Sequence, residues 1–360
     1  MSYPDRRAKT NTRIYRRTIV SVHRWLGLAA GLLWLLQAAT GAAIVFHWEE
    51  DDVSIGAYRA NTNFNAMGER LALLAPAGSG RHVTQVWTSA GLPDWYDALI
   101  VDNQTGAVTT VRVAGDGRPV RVTLPGHLSL INTIVLIHQS LLSGKIGRWI
   151  IGASGLLLLS NLLAGAFLAW PKRRKWARAL KPPTTGGQLA RYYGWHRALG
   201  LLGVAPALVL VSAGVLLAFD EPMANVLHIE QPSLPPRAGK PAVGFGEAVT
   251  TALRRLPNAK FAAAEFPVPQ DATYRVHLRS PGEWRRAYGN SLVFVDAVTG
   301  RVRDVALARD EPTTLYWLNT LAPTHTGEAF GLFGRLLVLC TGLWLATMIF
   351  LGGRLWWLRR

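Results

Sequence analysis

Cysteine is almost missing from this 360-residue chain: there is one, Cys340, set in an apolar run. A lone thiol excludes an internal disulfide, and no thiolate cluster exists to hold zinc or an iron–sulfur centre. The Cys-x-x-Cys-His motif is missing too, which excludes a covalently attached haem. Acidic residues are scarce. Lys plus Arg outnumber Asp plus Glu by 39 to 22, a formal surplus of +17. No nucleic-acid-binding motif accompanies that surplus, so nucleic acid is not the expected partner. No G-x-G-x-x-G follows a strand pattern, which argues against a soluble nicotinamide or flavin domain. No proton-transfer dyad or nucleophile constellation stands out, which argues against hydrolysis.

What the chain has in quantity is apolar sequence, 49% of its residues. A membrane span needs about 20 such residues at about 1.5 Å each. Four runs qualify: Trp25–Phe46, Trp149–Trp170, Leu199–Phe219 and Leu332–Leu351. None carries a charge in its central part, and tryptophans gather at their ends as interfacial anchors do. The cations explain themselves by position. Arg6, Arg7, Lys9, Arg13, Arg16 and Arg17 precede the first run, Lys172–Lys181 joins the second to the third, and Arg354, Arg359 and Arg360 follow the fourth. Cationic short flanks stay in the cytoplasm. The basic start precedes a run too long for a signal-peptide core and reads as a retained anchor.

The expected organisation is a basic cytoplasmic N-terminus (1–22), a first span (23–46), a first external segment (47–127) and a helix entering the second span (128–170). A basic cytoplasmic loop (171–194), a third span (195–219), a second external segment (220–315) and a helix entering the fourth span (316–358) follow.

The two halves are copies. His23-Arg24-Trp25-Leu26-Gly27-Leu28 matches His196-Arg197-Ala198-Leu199-Gly200-Leu201, and Gly41 and Gly214 each lie 18 residues beyond their histidine. Ile131-Asn132-Thr133-Ile134 before His138 matches Leu318-Asn319-Thr320-Leu321 before His325. Downstream, Gly144/Gly331, Gly147-Arg148/Gly334-Arg335, Gly155/Gly342, Gly165/Gly352 and Trp170/Trp357 recur without a gap. In the external segments, helical patterns at Phe64–Leu74 and Gly246–Leu256 precede hairpins turning at Asp102-x-x-Thr-Gly and Asp296-x-x-Thr-Gly. Each segment is expected to be a small α+β module. The fold class is a membrane protein of four transmembrane helices, in two parallel helix–domain–helix repeats.

Four of the nine histidines are repeat-matched. Two-fold symmetry sets His23 opposite His196 at the cytoplasmic face and His138 opposite His325 at the outer face. A single interfacial histidine is ordinarily just that. Two symmetric pairs are what two haem irons need, each held axially by facing helices. Gly27, Gly31, Gly41, Gly155, Gly165, Gly200, Gly203, Gly214 and Gly342 let helices approach and leave room for a macrocycle. Arg24, Arg197, Arg148 and Arg335 are candidate partners for haem propionates. His47 and His127 lie near the outer face, His47 as a possible neighbour of the site. His138 to Trp170 is too long for one straight span, so the helix projects outward or bends near Gly144.

These motifs resemble the PepSY-associated transmembrane family, and within it bacterial inner-membrane ferric-siderophore reductases of the FoxB type. The resemblance covers nearly the whole chain. It implies two b-type haems and reduction of iron(III) in a siderophore on the periplasmic side. The expected activity is therefore a haem-dependent oxidoreductase in the bacterial inner membrane, fed by a quinol, a flavin or a reductase protein. Two other classes compete: a siderophore or haem transporter, and a haem-free sensor or inhibitor. A transporter is expected to place more polar groups at mid-membrane than Gln37 and Asn161.

Overall fold

A computed structural model describes residues 6–53, 58–89, 94–284 and 289–360. The chain opens with helices α1 (Arg6–Ala29), α2 (Gly31–Ala43) and α3 (His47–Val53). Helix α4 (Phe64–Leu74) precedes strands β1 (Arg81–Thr88), β2 (Trp95–Asp102), β3 (Val108–Ala114) and β4 (Pro119–Thr123). Helices α5 (Leu130–Ser140), α6 (Gly144–Ala169), α7 (Trp176–Leu180), α8 (Gln188–Ala218), α9 (Asp220–Val226) and α10 (Phe245–Arg255) follow. Strands β5 (Lys260–Glu265), β6 (Thr273–Arg279), β7 (Ser291–Asp296) and β8 (Val302–Ala306) then lead to α11 (Thr313–Thr326) and α12 (Gly331–Trp357). Two compact units result. One holds residues 1–45, 132–223 and 324–360, and the other holds 46–131 and 224–323.

In the first unit, α6, α8 and α12 are each long and apolar enough to cross a membrane. A fourth crossing is present if the residues from Ile14 of α1 and helix α2, which meet at a 62° bend, count as one span. The run Trp25–Phe46 is thus not one straight helix. Gly27 and Gly31 lie one turn apart and favour a helix weakly, whereas the repeat has Val204 in place of Gly31 and α8 runs on unbroken. The entries to the second and fourth spans break at matched glycines. Gly144 and Gly331 both take positive φ, 54° and 58°, which only glycine adopts without strain. The bend expected near Gly144 lies there, with Leu141 and Leu142 also left-handed. It separates α5, which carries His138, from the span α6.

The second unit is one antiparallel sheet of eight strands, ordered β4-β3-β2-β1-β5-β6-β7-β8. The two inter-helix segments are therefore not separate modules, as the sequence suggested. Each contributes four strands, and β1 pairs with β5 through Gln85↔Glu265, Val86↔Ala264 and Trp87↔Ala263. Standing apart, each half would expose an apolar edge strand, and pairing satisfies both edges. Helices α4 and α10 cover the sheet, and Met67, Leu71, Val86, Phe245, Val249, Val276 and Val293 form one buried core. Helix α3 is pinned to the unit by charge. Asp51 meets Arg112 at 2.9 Å and Arg121 at 2.7 Å, and Arg112 also reaches Asp97 at 2.7 Å.

The two repeat-matched turns are built alike. Asp102 Oδ1 accepts from the amides of Gln104 and Thr105, and Asp296 Oδ1 from those of Val298 and Thr299. Gly106 and Gly300 close them at φ 67° and 73°. Asp296 also receives Arg237 at 2.9 Å. Burial alone would raise its carboxyl, but Arg237 and the turn amides outweigh burial and hold it at about 2. A depressed acid stabilises above its unfolded pKa of about 4 and loses that effect as pH falls through the folded value. Asp296→Ala is expected to cost about 2 kcal/mol at pH 7. The gap between wild type and variant in thermal melting should close between about pH 4 and about pH 2. A gap independent of pH would show that the carboxylate charge is irrelevant there.

Candidate haem-binding histidine pairs

All four repeat-matched histidines lie in the helical unit, and each packs by the same rule. His23 on α1 sets its Cε1 against Gly165 on α6, where a built Cβ would lie 2.9 Å away. His138 on α5 does the same at Gly41 on α2 (2.8 Å), and His325 on α11 at Gly214 on α8 (2.6 Å). His196 on α8 lies more loosely on Gly352 of α12 (3.6 Å). Every histidine thus rests on a helix of its own half, and for His23, His138 and His325 the seat is a notch that only glycine leaves open.

The ring nitrogens follow from that seat. His23 Nδ1 lies 3.1 Å from the carbonyl of Asn161, and His325 Nδ1 lies 2.9 Å from that of Leu210. Asn161 and Leu210 stand four residues before Gly165 and Gly214. His138 stands beside the equivalent backbone, Gln37, and its Nδ1 lies 3.1 Å from the Thr40 hydroxyl. Thr40 donates to the Leu36 carbonyl at 2.7 Å, so its oxygen is free to accept from the ring. His196 Nδ1 is buried without a hydrogen bond of good geometry, although the Met348 backbone, four residues before Gly352, is beside it. A carbonyl acceptor fixes the proton on Nδ1 and leaves Nε2 as the free lone pair, the tautomer a metal requires.

Across the halves the rings meet in pairs. His23 and His196 have centroids 6.2 Å apart, and His138 and His325 have theirs 6.1 Å apart. Metal–imidazole bonds run about 2 Å, so two rings trans on one ion stand about 6 Å apart between centroids. The residues present therefore fit two bis-histidine haems. Along the unbroken α8, His196 and the His325 seat at Gly214 are 18 residues apart, about 27 Å of rise. The two pairs occupy opposite ends of the helical unit.

The arginines are spent differently. Arg148 on α6 donates to the Leu217 carbonyl at 2.6 Å and pairs with Asp220. Arg335 on α12, 5% exposed, donates to the Val45 carbonyl at 2.8 Å. Each reaches carbonyls at the end of a helix in the opposite half, where cations are favoured. Arg197 donates to the Ala169 carbonyl at 3.2 Å, and Arg24 lies over the Trp25 ring at 5.1 Å. His47 lies tilted against Trp48, with centroids 4.7 Å apart and planes 44° apart, and belongs to the sheet unit with His127.

Of the glycines credited with leaving room, Gly41, Gly165 and Gly214 seat histidines, while Gly203 takes the Trp344 indole and Gly155 faces Val215. Gly352 was visible as a repeat match, and its role as the fourth seat was not. The carbonyl acceptors are backbone atoms and have no residue signature in the sequence. Their signal was positional: one helical turn before each repeated glycine.

The sheet unit holds a cavity of about 570 Å³ whose wall includes Trp284, Glu311, Tyr316 and Asn319. Burial pushes the Glu311 carboxyl up, against the Asn319 amide that donates to it at 2.9 Å. Asn319 stands six residues ahead of His325 on α11.

A comparison with curated proteins finds no match. Residues 20–359 match the family described as PepSY-associated TM region, a span that includes both histidine pairs, and the chain belongs to that family.

Proposed function

We propose that this chain is a di-haem electron carrier of the bacterial inner membrane that reduces ferric siderophores on the periplasmic side. The carrying observation is the pair of ring separations, 6.2 and 6.1 Å, with His23 and His325 each oriented by a backbone carbonyl at Nδ1. A haem-free sensor gives no reason for imidazoles from the two halves to meet at ligating distance twice.

A bound b-type haem supplies a one-electron iron couple. The chain's own residues do the rest. His23 and His196 would hold one haem, and His138 and His325 the other. The carbonyls of Asn161 and Leu210 make their imidazoles more basic, which favours the ferric state. Arg24 and Arg197, each next to a ligand, are the cations available for propionates. Arg148 and Arg335 fasten the two halves together and so keep the histidines of a pair at ligating distance. The apolar spans exclude water between the two sites. The cavity walled by Glu311, Tyr316 and Asn319 in the sheet unit is a candidate place for the substrate.

The test is the visible spectrum of protein purified with haem supplied. Reduction by dithionite should give b-type bands and about two haems per chain in an extraction assay. A haem-free protein of native fold would end this reading and favour a sensor.

A further inference from the structure

Two indoles in the helical unit break the rule that tryptophans here sit at span ends. Trp34 on α2 is 2% exposed and donates from Nε1 to Ser154 on α6, 3.0 Å to the hydroxyl and 3.2 Å to the carbonyl. Trp344 on α12 packs on Gly203 of α8 and donates to the Leu199 carbonyl at 2.8 Å. Both are held in one orientation by these bonds, as a buried indole N–H ordinarily is.

Their depths follow from unbroken helices. Gly203 is 7 residues beyond His196 and 11 before Gly214. The Trp344 ring thus lies about 10 Å from the level of the first pair and about 16 Å from the second. Ser154 is 11 residues before Gly165, the seat of His23. Trp34 is therefore about 16 Å from the level of the first pair. The two rings are staggered across the interval of about 27 Å that separates the pairs. Neither is a product of the duplication, because the repeat has Ala207 opposite Trp34 and Leu157 opposite Trp344. Each half contributes one, at a different depth.

We propose that Trp34 and Trp344 are bridging residues that couple the two histidine-pair sites electronically. Tunnelling falls off exponentially through saturated side chains and less steeply through a π system. One electron is lost at one site and gained at the other. The indoles are not themselves oxidised, and no bond forms or breaks. This rests on the di-haem reading.

The experiment is stopped-flow reduction of the haem-loaded full chain by dithionite in proteoliposomes. The haem facing the reductant gives a fast phase and the distant one a slow phase. Trp34→Leu and Trp344→Leu should each slow the second phase several-fold, and the pair of changes by an order of magnitude. The fast phase, the b-type spectrum and both midpoint potentials should stay as they are. Trp34→Phe, which keeps a ring, should recover most of the rate. Haem-dependent quenching of tryptophan fluorescence should lose amplitude in each variant, a readout independent of turnover. An unchanged slow phase in Trp344→Leu or Trp34→Phe/Trp344→Leu protein carrying both haems overturns the proposal. If Trp34→Leu fails to fold, Trp344→Leu decides alone. Wild-type protein without haem would instead count against the di-haem reading itself.

Discussion

His325→Ala is expected to halve the haem content, from about two per chain to about one, and to leave the remaining haem with its wild-type spectrum. The side chain is one of two that face each other in the second pair, 6.1 Å between centroids, and it is seated on Gly214 with its Nδ1 held by the Leu210 carbonyl. Without it, the proposed site would offer a haem one imidazole, His138, where two are needed to hold it. His138→Ala should do the same from the other half. His23→Ala and His196→Ala should remove the other haem and spare this one, because the two pairs are separated by about 27 Å of helix.

Pyridine haemochrome quantitation with the low-spin electron paramagnetic signals reads the outcome directly. Two complementary classes of variant are expected, His138 with His325 and His23 with His196. Loss of both haems from any single change would mean that the sites are not independent. Loss of neither would mean that the rings meet for structural reasons. The size of the effect separates this from a packing defect, since a histidine on one helix face contributes to stability only as other side chains do.

Much of this candidate site is legible in the sequence, because the duplication writes it twice. Histidines that recur with glycines 18 and 27 residues downstream define helix faces, and two-fold symmetry then sets His23 across from His196. The turns at Asp102 and Asp296 were legible for the same reason, with local side-chain chemistry repeated in register. What escaped was non-local. Nothing in β1 or β5 announces that they pair, and Phe261-Ala262-Ala263-Ala264 has no alternation from which to read a strand. The 62° bend before Gly31 falls inside a run that hydropathy scores as continuous. The roles of Arg148 and Arg335 were hidden because their partners are carbonyls of the opposite half, which no spacing in the sequence predicts.

The glycine seats allow a graded test that mutation of the ligands does not. A methyl group at Gly214 would stand 2.6 Å from His325 Cε1 and 3.0 Å from its Nδ1, so the ring must move. Gly41→Ala meets His138 at 2.8 Å with the same consequence. The displaced rings lose their acceptors, the Leu210 carbonyl and the Thr40 hydroxyl, and affinity for the second haem should fall by about 10–100-fold, as for other outer-shell changes. Gly352→Ala is the internal control. Its methyl would lie 3.6 Å from His196, an ordinary contact. It should leave the first haem bound while stabilising α12 by up to about 1 kcal/mol through helix propensity. Haem titration of each purified variant, followed by thermal melting, separates the two effects. Equal losses for Gly214→Ala and Gly352→Ala would show that glycine serves helix packing here and not the imidazoles. A loss confined to the tight seats means that the spacing between a ring and the neighbouring backbone, set by the absence of one carbon atom, decides whether iron is held.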